Sequence, residues 1–226
     1  MARPKPKPEE IKPAVIEKAV ELMQKKGFES LTMKALASEC GMSVGKLYHF
    51  FPRKDDLFLQ LEIEYFEGLY QRLSSVLSGP AIQCRSERDR FRCLLGEYFD
   101  YAVAHFDLYQ LVTMPPKVFS HYVGTGSEAL AQKELRAALR VINFVRDAFF
   151  ALMMEQGKEV GDAALQESFL LVINAMHGLI LMSRSAAWPY ISRPIRSESD
   201  LSSASEAVEV AVARQLDLLL QSCVRK

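Results

Sequence analysis

The chain has 226 residues, 28 basic and 28 acidic side chains, and 49% hydrophobic residues. This length suits one large or two small domains, and a composition with only 11 Gly and 10 Pro favours helices around a substantial core. The four cysteines (Cys40, Cys84, Cys93 and Cys223) form no C-x-x-C pair and have no histidine at metal-ligand spacing. We therefore expect reduced thiols, no metal site and no cofactor.

The sequence gives no indication of secretion or of a membrane span. No hydrophobic leader follows the Met-Ala-Arg-Pro start. The longest apolar run, residues 169–182, contains Asn174 and His177, so we expect it to be too short and too polar to cross a bilayer. These features predict a soluble cytoplasmic protein.

Charge is distributed unevenly along the chain. Residues 1–54 hold 11 Lys and Arg but only 6 Glu, so the amino-terminal part is basic and the remainder is acidic. A basic end fits a protein that presents one face to phosphates. Residues 1–10 alternate proline with basic residues, which predicts a flexible, extended tail. Such a tail lies along DNA, enters a minor groove, or is a solvated segment with no role.

A first helix is predicted from about residue 11 or 13 to Lys26. Apolar residues Ile16, Ala19, Val20 and Met23 fall at the i, i+3, i+4, i+7 spacing of one helix face. Two lysines in the last turn suit the negative end of the helix dipole, and the glycine that follows ends the helix.

Two short helices follow, joined by a tight turn. Thr32 is a good N-cap for residues 33–39, and Ser43 is a good N-cap for residues 44–50. Gly41 lies between them and adopts turn conformations that other residues resist. This layout is that of a helix-turn-helix, which places its second helix in the major groove of DNA.

A long helix is predicted over residues 54–78, with two apolar faces. One row is Phe58, Leu61, Tyr65, Leu69 and Leu73, and the other is Leu59, Ile63, Phe66, Tyr70 and Leu77. A helix with two apolar faces usually packs between two bodies. We expect it to pack on the amino-terminal helices at one end and on a carboxy-terminal bundle at the other.

The remaining pattern is helical throughout. Breaks at Gly, Pro and capping residues predict helices over residues 87–106, 107–113, 128–156, 162–185 and 200–223, with a proline-containing loop at 188–199. No alternating pattern predicts a strand. The chain is therefore predicted to be all-α, with about nine helices.

Residues 41–54 read G-x-S-x-G-x-L-Y-x-x-F-x-x-K. Further residues that support the same pattern are Ile16, Ala19, Leu22, Gly27, Phe28, Thr32, Leu36, Ala37 and Leu57. In these residues the amino-terminal unit resembles the tetracycline-repressor (TetR) family of bacterial regulators. The chain departs from the usual pattern at Met42 and at Phe50, and the second departure removes one possible phosphate-contacting group.

The resemblance implies a domain organisation and a function. It implies a tail (1–10), a helix-turn-helix DNA-binding domain (11–57) and a larger helical domain for ligand binding and dimerisation (58–226). It implies a ligand-responsive repressor that binds a palindromic operator in double-stranded DNA as a homodimer. One short recognition helix binds DNA weakly, whereas a two-fold dimer reads a palindrome.

Eight residues are candidates for DNA contact: Thr32, Ser43, Val44, Gly45, Lys46, Tyr48, His49 and Lys54. Lys46 is able to reach a guanine edge or a phosphate, and Val44 either meets a thymine methyl or belongs to the core. Tyr48 and His49 carry donors that reach the sugar-phosphate backbone, although Tyr48 alone also fits a packing role. Lys54 begins a helix, where free N–H groups and a cation make an anion site.

The middle helices are rich in aromatic residues and methionines, which indicate either core or a ligand cavity. Candidate pocket residues for an apolar or aromatic effector are Phe99, His105, Phe106, Tyr109, His121, Phe144, Phe150, Met154, Asn174 and His177. Candidate dimer residues, which would build a four-helix bundle from two subunits, are Leu165, Phe169, Val172, Met176, Leu179, Val208, Val212, Leu216 and Leu219. The alternative is that both stripes are intramolecular core.

Two alternatives to a DNA-binding regulator come from other classes of protein. No Ser/His/Asp or Cys/His pairing has local motif support, and residues 124–126 lack the flanking strand and Lys-Ser of a phosphate loop, so we predict no enzyme activity. The second alternative is a helical interaction protein of the same fold that has lost DNA binding.

Overall fold

The computed structural model describes residues 8–83, 85–155, 157, 162–185 and 218. Within these ranges it contains no strand, so the all-α prediction is confirmed. The helices are α1 (Pro8–Lys26), α2 (Met33–Glu39), α3 (Val44–Phe50), α4 (Lys54–Ser78), α5 (Pro80–Gln83), α6 (Glu87–Ala104), α7 (Phe106–Thr113), α8 (Glu128–Glu155) and α9 (Asp162–Ser183). Short 3-10 turns occupy Phe28–Ser30 and Phe119–His121.

The predicted helix bounds agree best where capping signals are strong. The bounds of α2, α3 and α4 are as predicted, whereas α1 begins at Pro8, and α5 was not predicted. The hydroxyl of Ser86 caps α6 by accepting from the N–H of Asp89 at 3.2 Å. The predicted tail (apart from the first residues of α1), the loop at 188–199 and the final helix lie outside the described residues, except for helical Leu218.

The chain forms two compact units. The first unit is Met1–Gly68 with His105–Arg140, and the second unit is Leu69–Ala104 with Val141–Lys226. The helix-turn-helix thus groups with α7 and the first part of α8. The division between these two units does not coincide with the predicted domain boundary at residue 57. That boundary separates the expected DNA-binding domain from the expected ligand-binding and dimerisation domain, and it stays a prediction.

The core of the first unit lies behind α2 and α3. Leu36 and Leu47 are fully buried, and Phe51 is 3% exposed, so the predicted inward-facing side chains do face the core. Both apolar rows of α4 are buried or half-buried along their length. Burial of several large apolar side chains, at about 1.5–3 kcal/mol each, is what holds such short helices in place.

One segment of α9 is long and apolar enough to cross a membrane on length and composition alone. This segment, Ala163–Ser183, has a mean hydropathy of 1.4 and is 22% buried. The helix extends beyond the apolar run at residues 169–182 and reaches the roughly 20 residues that a span needs, but length and composition do not contradict the prediction that it crosses no bilayer. A single such helix is a weak indication, since core helices of soluble proteins pass the same test.

Candidate nucleic-acid interface

The turn between α2 and α3 is fixed by backbone hydrogen bonds. The N–H of Gly41 donates to Ser38 O at 3.1 Å, and the N–H of Met42 donates to Ala37 O at 2.9 Å. This pair of bonds is the Schellman motif, which needs a left-handed residue after the helix. Gly41 is that left-handed residue, with φ +62°, a conformation that residues with a side chain disfavour. The sequence G-M-S therefore ends α2 sharply before Gly41 and places the N-cap of α3, Ser43, two residues after this glycine.

Both short helices begin with the predicted side-chain caps. The hydroxyl of Thr32 accepts from the N–H of Ala35 at 3.1 Å, and that of Ser43 accepts from the N–H of Lys46 at 3.2 Å. Each bond satisfies one of the free donors of a helix amino terminus. The caps fix where α3 starts, and hence which of its residues face outward.

Removing the Ser43 cap is expected to cost stability. Ser43→Ala should lower the free energy of unfolding by about 1 kcal/mol, because the N–H of Lys46 loses its acceptor. Ser43→Asn should retain most of the wild-type free energy of unfolding, since asparagine is also a good N-cap. Urea unfolding measures both, with Ser38→Ala on the exposed face of α2 as the control. Equal effects at the two serines would show that the cap contributes nothing.

The outer face of α3 is polar and open to solvent. All eight residues predicted to contact DNA are exposed, namely Thr32, Ser43, Val44, Gly45, Lys46, Tyr48, His49 and Lys54. Val44 is 37% exposed and Tyr48 is 43% exposed, so neither belongs to the core. On the opposite side of the same helix, Leu47 and Phe50 are buried. The structure thus leaves all eight predicted residues accessible to solvent, and their contact with DNA stays a prediction.

The cations of this face differ in their surroundings. The ammonium group of Lys46 makes no hydrogen bond or ion pair with the described residues, so its charge is available to a ligand. The ammonium group of Lys54 lies 4.8 Å from the ring centre of Phe58. A cation over an aromatic face is held in place while remaining hydrated on its outer side.

The amino terminus of α4 is less open to anions than the sequence suggested. The carboxylate of Asp56 accepts from the N–H of Arg53 at 3.0 Å, and Asp55 pairs with Lys117 at 2.6 Å. Two carboxylates in the first turn already complement the helix dipole. A phosphate would therefore bind chiefly through Lys54 rather than through free backbone donors. Sequence reasoning missed this, although the adjacent Asp-Asp pair was a visible signal.

The helices that carry this face match a known family of proteins. Residues 15–61 match the sequence model of the tetR family of bacterial regulatory proteins, a stretch that contains α2, α3 and the Gly41 turn. The amino-terminal helices of this chain are therefore similar to those of the tetR family.

Two curated relatives of this chain are uncharacterized HTH-type transcriptional regulators of Bacillus subtilis (strain 168). YuxN is 28% identical over 93 residues, which are 41% of this chain and 31% of YuxN. YerO is 40% identical over 60 residues, which are 26% of this chain and 20% of YerO. The matched part thus spans less than a third of each relative's length.

Solved structures resemble this chain over nearly its whole length. The TetR family regulator PfmR from Thermus thermophilus has a TM-score of 0.60 at 20% identity, covering 92% of this chain and 97% of PfmR. FadR from Bacillus subtilis, in complex with stearoyl-CoA, has a TM-score of 0.58 at 14% identity, covering 91% of this chain and 96% of FadR. At these identities the likeness establishes the fold.

The predicted pocket residues divide between the two units of the chain. His105, Phe106, Tyr109 and His121 are in the first unit, and Phe99, Phe144, Phe150, Met154, Asn174 and His177 are in the second. Met154 is 75% exposed, and His121 and Asn174 are also exposed, so these three are not enclosed by the described residues. The void beside His105 measures about 10 Å³, which holds at most a water molecule. The pocket stays a prediction.

Burial sets the protonation of two histidines in the predicted pocket. It lowers the pKa of His105 and the pKa of His177, because desolvation disfavours the charged imidazolium. The ring of His177 meets Tyr98 edge-on at 6.3 Å, and burial raises the pKa of that tyrosine to about 12. Neutral rings in apolar surroundings suit either core packing or an uncharged ligand.

The predicted dimer stripe on α9 is largely buried within one chain. Phe169, Val172 and Met176 are at most 3% exposed, and the ring of Phe169 lies 5.9 Å from that of Phe149 on α8. Side chains already packed inside the chain cannot form a new surface, which favours the intramolecular alternative for these three. Leu165 and Leu179 are half-buried, and Val208, Val212, Leu216 and Leu219 lie outside the described residues. The amphipathic spacing indicated an apolar face, but it does not tell which partner covers that face.

Proposed function

We propose that this chain is a DNA-binding transcriptional regulator that acts as a repressor on a palindromic operator. The observation that carries the proposal is the capped helix α3, whose outer face exposes Lys46 while Leu47 anchors its inner face in the core. The match of residues 15–61 to the sequence model of the tetR family supports the same conclusion. The regulator acts in the cytoplasm, where bacterial DNA lies, and needs no enzymatic activity.

The amino-terminal end of α3 fits the major groove. Gly45 and Ser43 are small, so the helix can approach base edges closely, and Lys46 projects beside them. Lys46 donates to guanine O6 or N7, while Tyr48 and His49 donate to the sugar-phosphate backbone. Base contacts select the sequence, and phosphate contacts fix the register.

The regulator binds DNA as a homodimer. A single seven-residue recognition helix offers too few contacts for a specific site, and a two-fold pair doubles them. Helix α9 leaves Leu170, Leu171 and Leu181 exposed at 49%, 56% and 38%, on a face beside the small residue Gly178. Apolar residues next to a small one permit close helix packing. This face, rather than the buried stripe, is the proposed contribution of α9 to a four-helix bundle.

An apolar or aromatic small molecule is the proposed effector. FadR structures from Bacillus subtilis and Thermus thermophilus are in complex with stearoyl-CoA and lauroyl-CoA, which supports an effector with an apolar part. The effector must bind one conformation of the dimer more tightly than the other in order to change operator affinity.

The proposal is tested by selecting bound duplexes from a random-sequence pool at low salt. We expect recovery of a palindrome whose half-sites are about 10 bp apart or a multiple of that spacing. A chain retained on no duplex at low salt would instead be an interaction protein that has kept the fold. Sedimentation of the free chain at micromolar concentration should give a dimer, and a monomer would contradict the two-fold arrangement.

Lys54 is expected to contribute affinity without sequence preference. Lys54→Ala should weaken binding to the operator and to random duplexes by similar factors, because a phosphate contact does not depend on the base. The slope of log K against log salt concentration should flatten by about 0.9 per subunit, which titrations between about 50 and 200 mM salt measure. Lys133→Ala on α8 is the control, and an equal loss there would reject the assignment.

A further inference from the structure

Arg53 lies at the candidate DNA face but is bound to another part of the first unit. It precedes Lys54 in the turn between α3 and α4, and its side chain reaches Ser127, 74 residues later in the sequence. The guanidinium Nη1 donates to the hydroxyl of Ser127 at 3.1 Å. The guanidinium group of Arg53, which neighbours the proposed phosphate contact Lys54 in the sequence, is thus directed to the turn before α8.

Ser127 joins two opposite charges through one hydroxyl group. Its Oγ accepts from Arg53 and donates to Asp56, whose other carboxylate oxygen accepts from the backbone N–H of Arg53. Ser127 is only 2% exposed, so its hydroxyl group is shielded from water, whereas Asp56 is half-buried and Arg53 is exposed. A shielded hydroxyl that both donates and accepts holds its partners more firmly than a solvated one.

The residue before Ser127 is shaped for the arginine. A Cβ atom added to Gly126 would lie 2.9 Å from Nη2 and 3.0 Å from Nη1 of Arg53. The guanidinium group therefore packs directly on the glycine backbone, and any side chain at this position would displace it. Hydrogen bonding and shape thus act together to hold Arg53 at residues 126–127.

We propose that Ser127 and Gly126 hold the side chain of Arg53 away from DNA. Arg53 is able to bind a phosphate, but in the wild-type protein its guanidinium group does not contact one. The proposal rests on the proposed DNA-binding function and concerns a positioning role, since Ser127 itself contacts no DNA. Arginine binds phosphate through a planar set of donors, and the residue next to Arg53 is the proposed phosphate contact Lys54. Release of the guanidinium group would therefore add one charge to the interface.

The test compares the salt dependence of DNA binding in the wild type and in three variants. In Ser127→Ala the released arginine should steepen the slope of log K against log salt concentration by about 0.9 per subunit and tighten binding to a random duplex several-fold at low salt. Gly126→Ala should have the same effect, because its methyl group displaces the guanidinium group without removing the hydroxyl. Ser120→Ala, at an exposed serine of the same segment, should leave the slope unchanged.

Arg53→Ala gives a readout that does not depend on how the Ser127 variant folds. If Arg53 is held away from DNA, Arg53→Ala should keep the wild-type slope of log K against log salt concentration. The double variant Ser127→Ala with Arg53→Ala should lack the steeper slope expected of Ser127→Ala alone. A slope that flattens in Arg53→Ala would show that Arg53 already contacts phosphate, and an unchanged or flatter slope in Ser127→Ala would equally overturn the proposal. If the wild-type protein binds no duplex, it is the proposed function that fails instead.

Discussion

Lys46→Ala is expected to weaken binding to the selected operator by about 1–3 kcal/mol for each subunit, or roughly 5- to 150-fold per half-site. A dimer loses two such contacts, so the full operator should lose about twice this free energy. Binding to random duplexes should fall far less, because only the charge contribution of one lysine disappears. The loss of preference, rather than of affinity, identifies a contact with a base edge.

The structural reason is the position of Lys46 on a rigid helix. Its own N–H is fixed by the Ser43 cap, and its neighbour Leu47 is fully buried, so the direction of the side chain is set by the core. Its ammonium group has no partner among the described residues, so contact with DNA breaks no internal bond. The truncation should therefore leave the fold intact.

The measurement is a pair of titrations with the operator and with a scrambled duplex of equal length. The ratio of the two affinities should fall for Lys46→Ala and stay at the wild-type value for Lys25→Ala, an exposed lysine at the end of α1. Thermal unfolding of each variant checks that the fold is kept. If both affinities fall by the same factor, Lys46 contacts phosphate rather than a base.

Local signals in the sequence were sufficient to predict the two short helices α2 and α3 and the turn between them. Thr32, Gly41 and Ser43 act through hydrogen bonds to residues within five positions, so their effect can be read from neighbouring letters. For the same reason the bounds of α2 and α3 and the outward face of α3 were predicted correctly. The family pattern at residues 41–54 depends on these same local requirements.

Contacts between residues distant in the sequence could not be predicted in this way. The pairing of Arg53 with Ser127 joins residues 74 positions apart, and no local pattern indicates it. The stripe of Phe169, Val172 and Met176 correctly indicated one apolar helix face, but amphipathic spacing is the same for a core and for an interface. Helix α5 follows a Gly-Pro break that predicted only the end of α4, although proline is also favoured in the first turn of a helix.

Glu62→Gln is expected to stabilise the protein at alkaline pH. Glu62 lies on α4 and is 5% exposed, and burial raises its pKa from 4.5 to about 8, with a further contribution from the carboxylate of Glu134 on α8. The folded protein therefore holds a proton that the unfolded chain releases. The stability associated with this proton is fully present below pH 4.5 and is lost as the pH rises through 8.

The expected magnitude follows from the size of the shift. At about 1.36 kcal/mol for each pKa unit, ionising Glu62 in the folded state costs on the order of 5 kcal/mol. Glutamine has nearly the same shape and no charge, so the variant should avoid this cost. Urea unfolding at about pH 5, 7 and 9 should give a flatter pH dependence for the variant than for the wild type.

Glu64 and Glu134 provide the controls that assign this effect to burial. Glu64→Gln changes an exposed residue two positions away on the same helix, where solvent already screens the charge, so its pH dependence should match the wild type. Glu134 is half-buried, and burial raises its pKa too, so Glu134→Gln should flatten the profile less than Glu62→Gln. The flattening of the pH dependence should therefore decrease in the order Glu62, Glu134, Glu64, as the exposure of the residue to water increases. Equal profiles for the Glu62 and Glu64 variants would mean that the carboxyl group of Glu62 is solvated in the folded protein.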